Sequence, residues 1–543
     1  MSKYYQWPLV GLIILTSAAL MVNTSLKESA TMDELAHIPS GYGYVKYFDY
    51  RLNPEHPPLV KAIAGIPLLF QKLNFPTDRP AWQSEINGQW AAGAQFLYES
   101  GNNADKIVQW SRLGPMLLTL LLILFIFIWS SELIGGWWAL LPTALFALSP
   151  TVLTHGHLVT TDVGATLGIF AAFYYFIKFL LESSRRNLAF AGLAFGIAQL
   201  MKFSVVLIIP FFGFLLLVFC FWKIQNGTGQ SFFGKISQFL KTFIRYVFYL
   251  AVIFIIGYFL VYIVYFLFTI NYPIEKQKAD TAYTLTSFAN GPDPNWETCK
   301  LNSGVALGRR IRCLANINVW MSGNKILRPI AQYMLGVLMV MQRSSGGNTG
   351  YFLGEVSASG WWYYFPVIFV LKESIPSLIL IALASLLGIW GVLKGFKPIT
   401  LCCKKFYDYI GTHFAEFSMI SFVIFYWAYS IKSPLNIGIR HILPTMPFVY
   451  ILTAGALKKW FGTQKNAPWQ NLLKPLTNLL KISSKGLLVG VLVIWYLAET
   501  ALASPYFLSY FNEFGGGVKG GYRYVTDSNY DWGQDLKRLA KLV

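Results

Sequence analysis

Long apolar runs, each of a length suited to crossing about 30 Å of hydrocarbon as a helix, recur along the whole chain. They fall near 7–23, 113–133, 138–154, 163–181, 188–202, 204–222, 246–270, 364–391, 414–431, 442–457 and 486–503. The pattern predicts an all-α polytopic membrane protein with about eleven transmembrane helices. No small-residue cleavage site follows the first run, which is therefore expected to stay as an uncleaved span. Two long polar stretches interrupt the apolar ones, a first loop over 24–110 and a second over 271–363. The reading divides the chain into a membrane domain over 1–504, carrying both loops, and a short tail over 505–543. Composition agrees: 55% of the 543 residues are hydrophobic and 13% charged, unlike a soluble domain.

Charge adds an orientation. Segments 182–187, 223–245, 392–405 and 458–485 carry clustered lysine and arginine, and alternating spans bring all four to one side. That side is expected to be cytoplasmic. The N-terminus then lies inside, and the C-terminus and both long loops lie outside. The formal net charge of +19 follows mainly from this arrangement beside anionic lipid. No basic soluble domain with base-stacking aromatics is present, so nucleic acid is not an expected partner. Of five cysteines, Cys299 and Cys313 share the second outer loop, where a disulfide is open to them. No Cys/His spacing suits zinc and no glycine-rich phosphate loop precedes Lys-Ser/Thr, so neither a zinc site nor an ATP-driven pump is expected. The substrate must carry its own driving force.

The charged residues left at the outer membrane face supply candidate chemistry. Asp33-Glu34 follow the first span, Asp162 and His155 sit where two spans meet, and Lys202, Arg440 and His441 occupy later junctions. A single base there is explained by snorkelling to headgroups, and Asp33-Glu34 by a helix N-terminus capped from Thr31. Acids and bases converging on one face favour a cavity instead. Lys202, Arg440 and His441 would hold a phosphate, while Asp33 or Glu34 takes a proton from an acceptor, the two needs of glycosyl transfer from a phosphate leaving group. Adjacent helical residues point about 100° apart, so one carboxylate can face the acceptor while the other anchors the loop.

The runs Asp33-Glu34-x-x-His37-x-x-x-Gly41-Tyr42 and Asn53-Pro-Glu-His56-Pro-Pro-Leu59 resemble the first outer loop of the GT-C-fold polyprenyl-phosphate-sugar glycosyltransferases. The protein O-mannosyltransferase and aminoarabinose transferase groups are the relatives they suggest. Further motifs keep the family's order: Ser149-Pro-Thr with His155 and Thr161-Asp162, Lys202-Phe-Ser, Gly360-Trp-Trp-Tyr-Tyr-Phe-Pro366, Asn436-Ile-Gly-Ile-Arg440-His441 and Asp527-Ser-Asn529-Tyr-Asp531-Trp-Gly-Gln534. The resemblance implies Asp33 as base with Glu34 beside it, and Asp162 as a second acidic position. His37, His56, His155 and Asn436 are expected to support them. It also implies membrane-parallel helices in the first loop, with Pro57–Phe70 suited to one, and a bacterial type lacking the β-trefoil insert of eukaryotic mannosyltransferases. The donor would be a dolichyl- or undecaprenyl-type phosphate monosaccharide, with hexose or pentose open, no other cofactor and no required metal.

The Gly/Ser-rich segment 343–363, rich in aromatics, reads as an interfacial belt, or as a mobile gate. In the tail, Asp527, Asn529, Asp531 and Gln534 form a candidate acceptor lobe. A calcium loop is set aside because the glycine and terminal glutamate of an EF-hand are missing. The chain ends midway through an amphipathic pattern, the expectation for a shortened member. A transporter or flippase of polyprenyl-linked substrates is the alternative; it should show paired repeats with broken spans, and no such symmetry is visible. The expected setting is a bacterial inner membrane, with membrane lipid, lipid-linked sugar and an acceptor (protein, lipid or envelope glycan) as partners. The sequence specifies neither sugar, acceptor nor oligomeric state.

Overall fold

A computed structural model describes residues 6–225, 232–300, 311–395, 402–462 and 474–543. Among them only one two-stranded hairpin, β1 (Gly350–Phe352) against β2 (Glu355–Ser357), interrupts an otherwise helical chain. Eight helices are long and apolar enough to cross a membrane. A ninth candidate is the pair Gly136–Ala147 and Pro150–His157, bent by 64°. The remaining predicted spans fall on Arg185–Gln199 and Met446–Phe461, shorter helices of 15 and 16 residues. Length and apolarity thus support eight or nine spans against the eleven expected. Exposed leucine, isoleucine and phenylalanine on the outer helices, such as Leu15, Phe259, Leu386 and Ile494, present the apolar surface that lipid would cover. The chain is an integral-membrane protein.

Two predicted spans are broken. The run 138–154 bends at Leu148-Ser149, just before Pro150, which suits the first turn of a new helix but not an interior. The run 364–391 is two helices, Tyr364–Lys372 and Ile375–Gly395. Lys372 is buried and donates to the carbonyls of Leu508 and Asn529 at 2.7 and 2.5 Å. Pro376, the second residue of Ile375–Gly395, suits the first turn of a new helix but not an interior. Apolarity hides both breaks.

The bundle core is aromatic, with Phe173 packed among Phe211, Phe212, Phe422 and Phe448. Arg185–Gln199 lies between Asp162–Leu181 and Phe232–Phe268. Its Gly196 approaches Gly257 so closely that a Cβ would meet the Gly257 carbonyl at 2.6 Å, the small-residue contact that lets membrane helices press together.

The first loop is a folded layer. After α1 (Gln6–Ser25), α2 (Met32–Tyr47) crosses α3 (Leu59–Gly65), which tightens into a 3-10 turn over Ile66–Phe70. The helix expected over 57–70 is thus present in two geometries. A side chain on Gly41 would collide with the Lys61 carbonyl, so the crossing requires glycine. The second loop folds into Ile274–Thr284, Arg312–Ser322 and Arg328–Gly346, followed by the hairpin, with Cys299 and Cys313 joined in a disulfide. The tail packs against the first loop: Ser29 and Met32 donate backbone hydrogen bonds to Gln534 and Trp532 at 2.9 and 3.0 Å.

Candidate functional site

Each charged residue of the site sits where a helix starts or stops, so its side chain is held over the bundle end instead of pointing into lipid. Asp162 opens Asp162–Leu181, where the helix dipole favours an acid. Lys202 is extended, between the end of Arg185–Gln199 and the 3-10 turn Phe203–Leu207. Arg440 begins the turn Ile439–Thr445 after Gly438, whose φ of +143° suits glycine and whose Cβ would press on Ser528 Oγ at 2.5 Å. Asp33 lies in the first turn of α2. In a membrane protein, non-helical backbone at the ends of spans is tolerated where it lines a cavity.

These four side chains form a chain of alternating charge. Lys202 Nζ donates to Asp162 Oδ1 at 2.6 Å, Arg440 Nη1 lies 3.6 Å from Asp162 Oδ2, and the same Nη1 donates to Asp33 Oδ2 at 2.9 Å. The Arg440 guanidinium lies 4.2 Å over the ring of Trp532. All four line a cavity of about 600 Å³, together with His37, His56 and His441. Asp162 is 1% exposed at its side chain, Arg440 10%, Lys202 14% and Asp33 26%, so access rises toward the loop carboxylate. His37 Nδ1 lies 2.7 Å from the Val159 carbonyl, which places its proton on Nδ1. Burial holds the His37 pKa below its ordinary value of 6.5, so the ring is neutral near pH 7.

Glu34 does not reach the cavity. Its Oε1 accepts from Arg112 Nε at 2.8 Å and from the Val159 N–H at 3.0 Å. Its Oε2 accepts from Arg112 Nη2 at 2.7 Å, from the Thr31 N–H at 2.8 Å and from Thr31 Oγ1 at 3.1 Å. Burial pushes its pKa up, but the Arg112 charge and these hydrogen bonds outweigh it and hold the carboxyl below its ordinary range. With every lone pair committed, Glu34 is an anchor and not a base. Arg112 also lies 3.7 Å from Glu28, which receives His157 Nε2 at 2.8 Å, closing a sealed network.

The other expected residues divide in the same way. His155 is buried with its ring 6.5 Å from Trp532, outside the cavity lining. Asn436 is a brace, accepting from the Trp361 N–H at 2.6 Å. Of the four tail residues, two are buried and two exposed. Asn529 is buried, its Oδ1 accepting from the Ile439 N–H at 3.0 Å and its Nδ2 donating to Tyr364 Oη at 2.9 Å. Gln534 is buried and accepts from the Trp532 N–H at 2.7 Å. Asp527 and Asp531 are exposed but accept from nearby backbone N–H groups and do not line the cavity. Their segment instead buttresses the Arg440 turn, because polar side chains can satisfy the backbone of a neighbouring non-helical turn. Sequence reasoning missed Arg112 and Trp532. Arg112 sits at the head of a span, where two acids of the first loop had no assigned counter-ion. Trp532 lies inside a quoted motif.

Residues 105–225 match the family model described as dolichyl-phosphate-mannose-protein mannosyltransferase. No curated protein matches the chain. Among solved structures, ArnT from Cupriavidus metallidurans bound to undecaprenyl phosphate is 14% identical over 92% of this chain and 70% of its own, with a TM-score of 0.43. The oligosaccharyltransferase AglB from Archaeoglobus fulgidus, in complex with an inhibitory peptide and a dolichol-phosphate, is 13% identical over 92% of this chain and 56% of its own, with a TM-score of 0.42. The chain thus spans little more than half the length of the archaeal enzyme. Over 105–225, which includes Asp162 and Lys202 but neither Asp33 nor Arg440, this integral-membrane chain is similar to dolichyl-phosphate-mannose-protein mannosyltransferases.

Proposed function

We propose that the chain is an integral-membrane glycosyltransferase that moves a monosaccharide from a polyprenyl-phosphate donor to an acceptor hydroxyl on the extracytoplasmic face. The observation that carries this reading is the Asp33–Arg440–Asp162–Lys202 chain lining one cavity at the bundle end. Two cations, braced by a buried carboxylate and joined by His441, suit a phosphate in a place where lipid can deliver it. The helices that begin at Asp162 and Met446 carry Lys178, Lys458 and Lys459 in their last turns. Basic residues at the end opposite the site accord with a cavity facing away from the cytoplasm, with the N-terminus inside and a bacterial inner membrane as its setting.

Charge exchange organises the reaction. Arg440 is paired with Asp33 and stands beside Asp162. An arriving phosphate competes for Arg440 and Lys202, which loosens the Asp33 contact and leaves its carboxylate available. Asp33 then takes the proton of the acceptor hydroxyl as that oxygen bonds to the anomeric carbon. The bond from that carbon to the phosphate oxygen breaks with its electron pair, and Lys202, Arg440 and His441 stabilise the developing phosphate charge. Asp162 does not meet the acceptor; it fixes the two cations at the spacing that one phosphate needs.

The test is donor turnover by purified protein in detergent, using undecaprenyl-phosphate mannose, glucose, galactose and arabinose. Asp33→Asn should cut transfer by about 10²–10⁴-fold while leaving donor binding intact, whereas Lys202→Ala with Arg440→Ala should lower affinity for bare undecaprenyl phosphate. Full transfer by the Asp33 variant would remove the catalytic assignment. Mass spectrometry of lipid copurifying with the wild type would name the donor.

A further inference from the structure

One wall of the cavity has no part in the phosphate clamp or proton transfer, and it is built with as much care. Buried Lys61 donates to the Asn53 carbonyl at 2.8 Å, Asn53 Oδ1 at 2.7 Å, the His56 carbonyl at 2.8 Å and Tyr44 Oη at 2.9 Å. This side chain ties the 53–56 turn into one conformation, with Asn53 in the left-handed region at φ +54°. Asn53 is itself buried and held: its N–H donates to Asn87 Oδ1 at 2.9 Å and its amide donates to Gln89 Oε1. Asn87 and Gln89 then donate to Glu55 Oε1 at 3.4 and 3.2 Å.

The result is a carboxylate aimed at the cavity and held by its neighbours. Glu55 is 30% exposed at its side chain, and Arg343 stands 3.8 Å from Oε2, beyond hydrogen-bonding distance. Trp90, next in sequence to the Glu55 donor Gln89 and 42% exposed, also lines the cavity. An uncovered indole lining the same cavity as a fixed carboxylate and a guanidinium offers an apolar platform plus acceptors and donors for hydroxyls. A pyranose or furanose ring has that combination of an apolar face and a polar rim.

We propose that Glu55, Trp90 and Arg343 form a sugar-binding subsite that recognises a monosaccharide ring by stacking on Trp90 and hydrogen bonding to Glu55, with Lys61 as the positioning residue beneath it. This rests on the glycosyltransferase reading. The ring belongs either to the donor or to a saccharide acceptor, and the two have the same chemistry.

The experiment uses the full-length chain in nanodiscs and has two arms. The first compares affinity for bare undecaprenyl phosphate with that for its mannose, glucose, galactose and arabinose derivatives. The second measures saturation-transfer NMR from the protein to the four methyl glycosides, and to a serine- and threonine-containing peptide, with undecaprenyl phosphate present. If the ring is the donor's, Trp90→Ala and Glu55→Gln weaken at least one sugar-lipid about threefold to tenfold and leave the bare lipid unchanged, with Trp90→Phe restoring it. If it is an acceptor's, the same variants reduce transfer to a methyl glycoside and leave all lipids unchanged. Loss confined to the peptide, or no change in either arm, overturns the proposal. Lys202→Ala with Arg440→Ala separates the two failures, because it lowers bare-lipid affinity if the clamp is right whatever happens at Trp90.

Discussion

Two clusters of four ionisable side chains meet at the head of this bundle, and they contain nearly the same chemistry. One is Glu28, Glu34, Arg112 and His157; the other is Asp33, Asp162, Lys202 and Arg440. The first is sealed, none of its side chains being more than 2% exposed, and backbone groups absorb what the ion pairs leave over. The second opens onto the cavity. Two consecutive residues of α2 supply one acid to each, since successive helical side chains diverge by about 100°. Closure makes the first cluster a clasp on the first loop, and openness leaves the second free to exchange its partners for a substrate. Inventory alone does not separate structure from function; access does.

The sharpest way to break this comparison is through the two adjacent acids. Asp33→Asn should cut transfer by about 10²–10⁴-fold, the contribution of a general base, with the melting temperature close to wild type. A stable but inactive Glu34→Gln protein would contradict the division. Arg112→Met should come next, destabilising the chain by about 3–5 kcal/mol because Glu34 would be left buried without its charge partner. Thermal melting in detergent checks this, and Arg440→Met, in the more open cluster, should melt with a clearly smaller loss.

Acidification probes both clusters through stability. The His37 pKa is lowered on folding, so its contribution is fully present above its ordinary 6.5 and is lost as pH falls through the lower folded value. Glu34 is also lowered, from 4.5, and its contribution disappears at more acid pH as that carboxyl protonates. Melting temperature should therefore fall first below about pH 6.5 and again below about pH 4.5, the first step being smaller in His37→Asn but still present, because burial also holds the His56 pKa well below its ordinary value. The smallest effect is expected at Trp532. Removing its ring from beneath Arg440 with Trp532→Leu should cost about 0.5–2 kcal/mol of clamp organisation, read as weaker binding of undecaprenyl phosphate with unchanged turnover at saturation.

Much of the site was legible because membrane chains place few charges near lipid, so Asp162, Lys202 and Arg440 stand out against apolar runs. The same contrast fails inside polar loops. There Asp33 and Glu34 look alike, and the partner that separates them, Arg112, lies 78 residues beyond Glu34. The tail shows the opposite error. Asn529 and Gln534 read as a surface for an acceptor because they are polar and grouped, yet each is spent on nearby backbone or side-chain groups. Breaks at Leu148-Ser149 and Glu373-Ser374 escaped notice because hydropathy averages across a window and is insensitive to one irregular turn.

By itself the sequence determined that this chain lives in a membrane, where its apolar helices run, and which charges gather at one face, since hydrophobic length and charge bias act locally along the chain. Only the tertiary structure decided which of those charges are clasped shut and which face a cavity. That choice depends on partners far apart in sequence, and on the burial that makes an unpaired charge too costly to keep.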